Sequence, residues 1–129
     1  MAKILIVEDN ALNIKLFCDL LAAHGHEPQA VTDSRLALDA ARDFVPDLVI
    51  TDIQLPHVSG LELIQLIRAD EGLKDVPIMA VTAYATAGDE ERIRGAGAES
   101  YVTKPISVAR FVQEVDSLLA RKEPATADA

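Results

Sequence analysis

Glu8 and Asp9 follow the apolar run Ile4-Leu5-Ile6-Val7, and Asp52, flanked by Thr51 and Ile53, closes the run that starts at Leu48. Thr82 ends the run Ile78-Met79-Ala80-Val81, and Lys104 stands just past Ser100-Tyr101-Val102. In a parallel sheet these positions collect beyond the carboxyl ends of the strands, where open α/β sheets bind ligands. Three carboxylates brought together repel one another and resist ionising at neutral pH. A hard divalent cation such as Mg2+ relieves that repulsion, since it takes one or two carboxylates, waters and a phosphate oxygen. With Lys104 added the formal charges of such a site cancel. An aspartate there can act as the nucleophile that accepts a phosphoryl group as an acyl phosphate, while cation and lysine offset charge on the transferring oxygens. Each residue alone has a plainer explanation. A Glu-Asp pair after a strand often favours a helix N-terminus, and a strand-end Asp or Thr is often a turn residue. Their joint placement at four run ends points to phosphoryl chemistry.

The elements that must hold these residues are legible in the spacing. Ile4–Val7, Leu48–Ile50 and Ile78–Val81 are near-continuous apolar runs, as expected of strands covered on both faces; Pro28–Val31 is a weaker run, and Ser100–Val102 completes the five. Between them lie helix-length segments. The first runs from about Asn10 to His24 with Leu16, Phe17, Leu20 and Leu21, ending at Gly25. The second carries Ala37, Ala40, Ala41 and Phe44 after Thr32-Asp33-Ser34, and the third opens near Ser59-Gly60 with Leu63, Ile64 and Ile67. In the last, Val108, Phe111, Val112, Val115, Leu118 and Leu119 form one apolar stripe behind Ser107 as N-cap, with Arg121-Lys122 at the C-terminal end. The fourth, Gly88 to Ala96, has little apolar stripe beyond Ile93 and is expected to be weakly anchored. Five strand–helix alternations predict an α/β fold, a doubly wound parallel sheet with helices on both faces.

Composition narrows the function. The 129 residues carry 12 Lys+Arg against 21 Asp+Glu, a formal charge of −9, which argues against a nucleic-acid surface or an anionic membrane surface. No segment approaches the ~18 apolar residues of a membrane span, and the N-terminus lacks the pattern of a signal peptide. Cys18 is the single cysteine, so neither an internal disulfide nor a cysteine zinc site is expected. The expectation is one soluble, cytoplasmic domain over residues 1–121, followed by a short disordered tail at 122–129.

With Val7-Glu8-Asp9-Asn10, Asp47-Leu48-Val49-Ile50-Thr51-Asp52-Ile53-Gln54-Leu55-Pro56, Val81-Thr82-Ala83 and Thr103-Lys104-Pro105 in place, the chain resembles the response-regulator receiver domains of two-component signalling. Gly88-Asp89-Glu90-Glu91-Arg92-Ile93-Arg94 and Lys104-Pro105-Ile106-Ser107-Val108 bring it nearest to single-domain regulators of bacterial cell-cycle control. The resemblance implies a flavodoxin-like sheet of five strands in order 2-1-3-4-5 with five helices. It implies that Asp52 is the phosphoacceptor, supplied by a histidine kinase or a histidine phosphotransfer protein. Asp9 and Asp52 would bind Mg2+ directly, helped by the backbone carbonyl of Gln54, with Glu8 acting through water. Lys104 would pair with a phosphoryl oxygen, Thr82 would hydrogen-bond the new group, and Tyr101 would turn inward as the switch. A cis Lys104–Pro105 bond is also implied. Output would pass to a downstream protein through helix four, strand five and helix five, roughly residues 88–121, within a segment that switches from Thr82 onward. Phosphodonors would dock near Asn10, Leu12, Asn13 and Lys15 on helix one. The chain would be no enzyme beyond turnover of its own Asp52 phosphate.

Two other readings stand beside this one. A pseudo-receiver would bind partners without phosphorylation, against which the intact Glu8, Asp9, Asp52, Thr82 and Lys104 set speaks. A small aspartate-nucleophile phosphatase resembles a pattern with a second Asp two residues after the nucleophile, where Gln54 stands here. His24 and His26 straddle Gly25 and do not read as a metal pair, His57 reads as an exposed loop residue, and Cys18 as an inert thiol. Gln54 and Tyr84 occupy positions that, in the family, tune the lifetime of the acyl phosphate.

Overall fold

Lys3–Val7 has no side chain that favours solvent on either face beyond its first residue, and in a computed structural model of the chain it is the buried strand β1. The structure describes residues 2–83, 87–104 and 106–122. Helix α1 (Ala11–Ala23) follows, then β2 (Glu27–Val31), a 3-10 turn at Ser34–Leu36, α2 (Ala37–Phe44), β3 (Leu48–Asp52) and α3 (Gly60–Ala69). The chain continues through β4 (Ile78–Thr82), α4 (Ala87–Ala96), β5 (Ser100–Thr103) and α5 (Val108–Lys122). All strand pairs are parallel and their order is β2-β1-β3-β4-β5, with five helices, as the family pattern implied.

The period-two alternation of strand side chains divides the core. Leu5, Val7, Val49, Ile78 and Ala80 face one way, with Ala37 and Ala41 of α2, Leu63, Ile64 and Ile67 of α3, and Ile93 of α4. Ile4, Ile6, Leu48, Ile50, Met79, Val81 and Val102 face the other, where Phe17 of α1 stacks on Phe111 of α5 with ring centroids 5.0 Å apart. The third and fourth strands are buried along their whole length, which is why they read as unbroken apolar runs. β2 is an edge strand with mostly exposed or half-buried residues, which is why it read weakly.

Local chemistry sets the element ends. Asn10 caps α1, its side chain accepting from the Leu12 and Asn13 amides, and Gly25 beyond its end has φ +83°. Ser59 caps α3 by accepting from the Glu62 amide, and Ser107 accepts from the Arg110 amide at the start of α5. Of the described side chains of α4, Ile93 is the one fully buried. The C-terminal end of α4 is better held. Arg68 of α3 donates to the Gly97 carbonyl at 3.0 and 2.8 Å, to the carbonyls of Lys74 and Val76, and to the Glu99 carboxylate. Gly97, at φ +125°, has no room for a side chain, since a Cβ would lie 2.7 Å from Arg68 Cγ. Helix α5 takes in Lys122; Tyr84, the Lys104–Pro105 bond and residues 123–129 lie outside the described residues.

Candidate functional site

Register aligns the strand ends that carry the polar residues. Val7 of β1 opposes Thr51 of β3, so Glu8 and Asp52, each one step further, leave the sheet side by side. Asp52 opposes Val81, and Thr82 opposes Thr103, which puts Thr82 and Lys104 along the same rim. Strand order reverses between β1 and β3, where open sheets of this kind place their ligands. Gly60 lets α3 start against this rim: a Cβ there would lie 2.1 Å from the Asp52 carbonyl oxygen.

Glu8, Asp9 and Asp52 each offer a carboxylate oxygen, and all three lie within 4.8 Å of one another. Glu8 and Asp52 are buried, at 1% and 3% exposure, while Asp9 is open to solvent. Lys104 Nζ donates to Asp52 Oδ2 at 2.7 Å and lies 3.7 Å from Glu8 Oε2. The other Asp52 oxygen, Oδ1, accepts the Gln54 amide at 3.0 Å. Glu8 Oε1 accepts the Asn10 amide at 3.1 Å, but Glu8 Oε2 is buried without a hydrogen-bond partner. Burial, and then the neighbouring Asp52 charge, push the Glu8 carboxyl up to about 7. For Lys104, partial burial pulls downward, but the Asp52 hydrogen bond and the surrounding carboxylates outweigh it and raise the ammonium above its ordinary value. An orphaned carboxylate oxygen, an all-oxygen donor set and three clustered acids fit a hard divalent cation such as Mg2+. They form one acidic cluster with the Lys104 ammonium beside it.

The sequence-predicted residues Glu8, Asp9, Asp52 and Lys104 are therefore brought together, with Gln54 joined to Asp52 through its backbone. Thr82 is buried at the end of β4, and its carbonyl accepts the Lys104 amide at 2.8 Å. Tyr101 is half-buried and turned toward α4: its hydroxyl donates to Glu90 Oε1 at 3.1 Å, the main cause of a raised phenol pKa. Arg94 donates to the other Glu90 oxygen at 3.1 Å and stands 5.7 Å over the Tyr101 ring. Sequence reasoning missed Glu90 as this partner, although the spacing Glu90–Arg94 is that of an i,i+4 ion pair.

Of the remaining candidates, Asn10 reaches the site only through its backbone amide on Glu8. Leu12 is exposed on α1, Asn10 is committed to its cap, and Lys15 pairs with Asp19 at 2.9 Å. His24 is exposed, His26 Nε2 lies 4.0 Å from Asp116, and burial pushes the Cys18 thiol up. His57 is an exposed loop residue with φ +69°.

Residues 4–116 match the model of the response regulator receiver domain. The polar-differentiation response regulator DivK of Brucella ovis is 53% identical over 116 residues, covering 90% of this chain and 94% of that protein. The receiver domain of the sensor histidine kinase PA1611 of Pseudomonas aeruginosa, solved with a magnesium ion coordinated in its active-site cleft, is 32% identical with a TM-score of 0.85, covering 92% of this chain and 98% of that one. The chemotaxis protein CheY4 of Vibrio cholerae shares the fold, with a TM-score of 0.87 at 24% identity, covering 92% of this chain and 98% of that one.

Proposed function

The chain belongs to the response regulator receiver family, and from that premise we propose that it is a phosphorylation-controlled signalling module whose acceptor is Asp52. The observation that carries this is the Asp52 carboxylate held between the Lys104 ammonium and the Gln54 amide, within 4.8 Å of Glu8 and Asp9. The donor is a phosphohistidine on a kinase or phosphotransfer protein. An Asp52 oxygen attacks phosphorus, the P–N bond breaks, and its electron pair stays on the imidazole nitrogen, leaving an acyl phosphate. Asp9, Asp52 and the Gln54 carbonyl would hold Mg2+, with Glu8 acting through water. Bound there, Mg2+ supplies positive charge for the transferring oxygens.

Lys104 then exchanges Asp52 Oδ2 for a phosphoryl oxygen without leaving its place, since a cation on the rim serves either anion. Thr82 hydrogen-bonds the new group, and Tyr101 leaves Glu90 to turn inward. These contacts favour one arrangement of the segment 82–121 over the other, by no more than their own differential free energy. The reader of that change is a downstream protein on the α4–β5–α5 face, and the likeness to the polar-differentiation regulator DivK supports a role in bacterial cell-cycle control. The site acts in the cytoplasm, where the phosphodonor is made, and its output is contact rather than turnover of another molecule.

Intact-protein mass after incubation with acetyl phosphate tests this reading. One phosphoryl group should be added with Mg2+ present, none without it, and none to Asp52→Asn. No uptake from acetyl phosphate or from a phosphohistidine donor would make the chain a pseudo-receiver. Continuous donor turnover with no adduct would make it a phosphatase.

A further inference from the structure

Ser34 starts the 3-10 turn after β2, and it is buried at 3% exposure although it stands far from the acidic residues in sequence. A buried hydroxyl has to find partners for its proton and its lone pairs or carry the cost of losing water. Here both go to one loop. Ser34 Oγ donates to the Pro56 carbonyl at 2.6 Å and accepts the Val58 amide at 3.1 Å. That loop, residues 53–59, joins β3 to α3 and carries Gln54, whose amide holds Asp52 Oδ1. Its base is closed by the Gly60 amide on the Ile53 carbonyl at 2.9 Å. Its outer part carries His57 at φ +69°, a left-handed conformation uncommon for residues other than glycine, though histidine takes it more readily than most. The two residues that flank His57 are the two that Ser34 binds.

Resting on the reading of Asp52 given above, we infer that Ser34 is a positioning residue for the phosphoryl-acceptor site. Its hydroxyl cross-braces the 53–59 loop, and through that backbone it sets the Gln54 amide on Asp52 and the Gln54 carbonyl assigned to the cation. Ser34 itself touches neither. Without the hydroxyl, the Pro56 carbonyl and Val58 amide lose their side-chain partner, His57 loses the restraint on its left-handed backbone, and the loop samples more conformations. The effect is a looser cation site as well as a weaker fold.

The test compares Ser34→Ala with Ala41→Gly, a change in the buried face of α2 that destabilises the same layer while leaving the hydrogen bonds of the loop in place. Mg2+ affinity is measured by calorimetry, alongside the lifetime of the Asp52 phosphate after acetyl phosphate loading and the thermal midpoint without Mg2+. Both variants should lower the midpoint. Ser34→Ala should also weaken Mg2+ about tenfold, the lower end of what outer supports of a metal site cost, while Ala41→Gly stays within about twofold of wild type. An unchanged Mg2+ affinity in Ser34→Ala, or an equal loss in both variants, overturns the role given to Ser34 and leaves Asp52 as acceptor. A wild-type chain that neither binds Mg2+ nor takes up phosphate overturns the reading of Asp52, and the role of Ser34 falls with it.

Discussion

At neutral pH the Glu8 carboxyl stands near the middle of its titration, because burial beside Asp52 raises it from 4.5 to about 7. Between those two values the metal-free folded chain holds a proton that the unfolded chain has lost, so stability falls as pH rises through the window. The loss should reach about 3 kcal/mol at most. Mg2+ affinity should move the other way across the same window, since the cation competes with that proton. Urea unfolding in chelator and Mg2+ titration, each against Glu8→Gln, check both slopes; the variant should flatten them. A wild type with no slope in excess of the variant would show that Glu8 is ionised throughout. At this scale Glu8, Asp9, Asp52 and Lys104 were legible because each follows an apolar run that has to be a strand. Ser34 was not, because its partners Pro56 and Val58 lie 22 and 24 residues away and a D-S-R turn carries no mark of them.

Helices and strands differ in how firmly their ends are made. Helix α2 ends on Val45, which adopts φ +51° with its side chain exposed. A β-branched residue in left-handed conformation carries a cost that burial does not offset here. Val45→Gly should therefore stabilise the chain by about 0.5–1 kcal/mol, after the added unfolded-state entropy of glycine is counted, as read from the denaturation midpoint. A lower midpoint would mean that the Val45 side chain contributes packing after all. The same comparison of ends explains what sequence pattern could show of the elements. Strands β3 and β4 announced themselves because both faces are buried; β2, the edge strand Glu27–Val31, with Pro28 inside it, shows no alternation to follow. The weak stripe of α4 was visible, but the fixing of its C-terminal end by Arg68, from another helix, was not.

Across the whole molecule, a net charge of −9 and a cluster of three carboxylates both respond to Mg2+, one by screening and one by binding. The two separate by experiment. At ten times its dissociation constant, Mg2+ should add about 1.4 kcal/mol, and so raise the thermal midpoint by about 5 °C beyond NaCl of equal ionic strength. Asp9→Asn should keep the screening part and lose most of the rest; an equal rise in both chains would leave screening alone. A last consequence concerns mechanics. Gly97 and Glu99 are pinned by Arg68, and nearer its other end α4 is tied to β5 by the Tyr101 hydroxyl on Glu90, so α4 is a rod with one fixed clamp and one releasable tie. Once Tyr101 leaves Glu90, such a rod can swing, and its travel grows with distance from the Arg68 clamp. Over ten residues it is about 15 Å long, so a tilt of about 10° carries the Ala87 end about 2.6 Å and the Ala96 end almost nowhere. A protein that senses the state of this chain gains most leverage by gripping the turn at Gly88–Glu91, and almost none by gripping the turn beside Gly97.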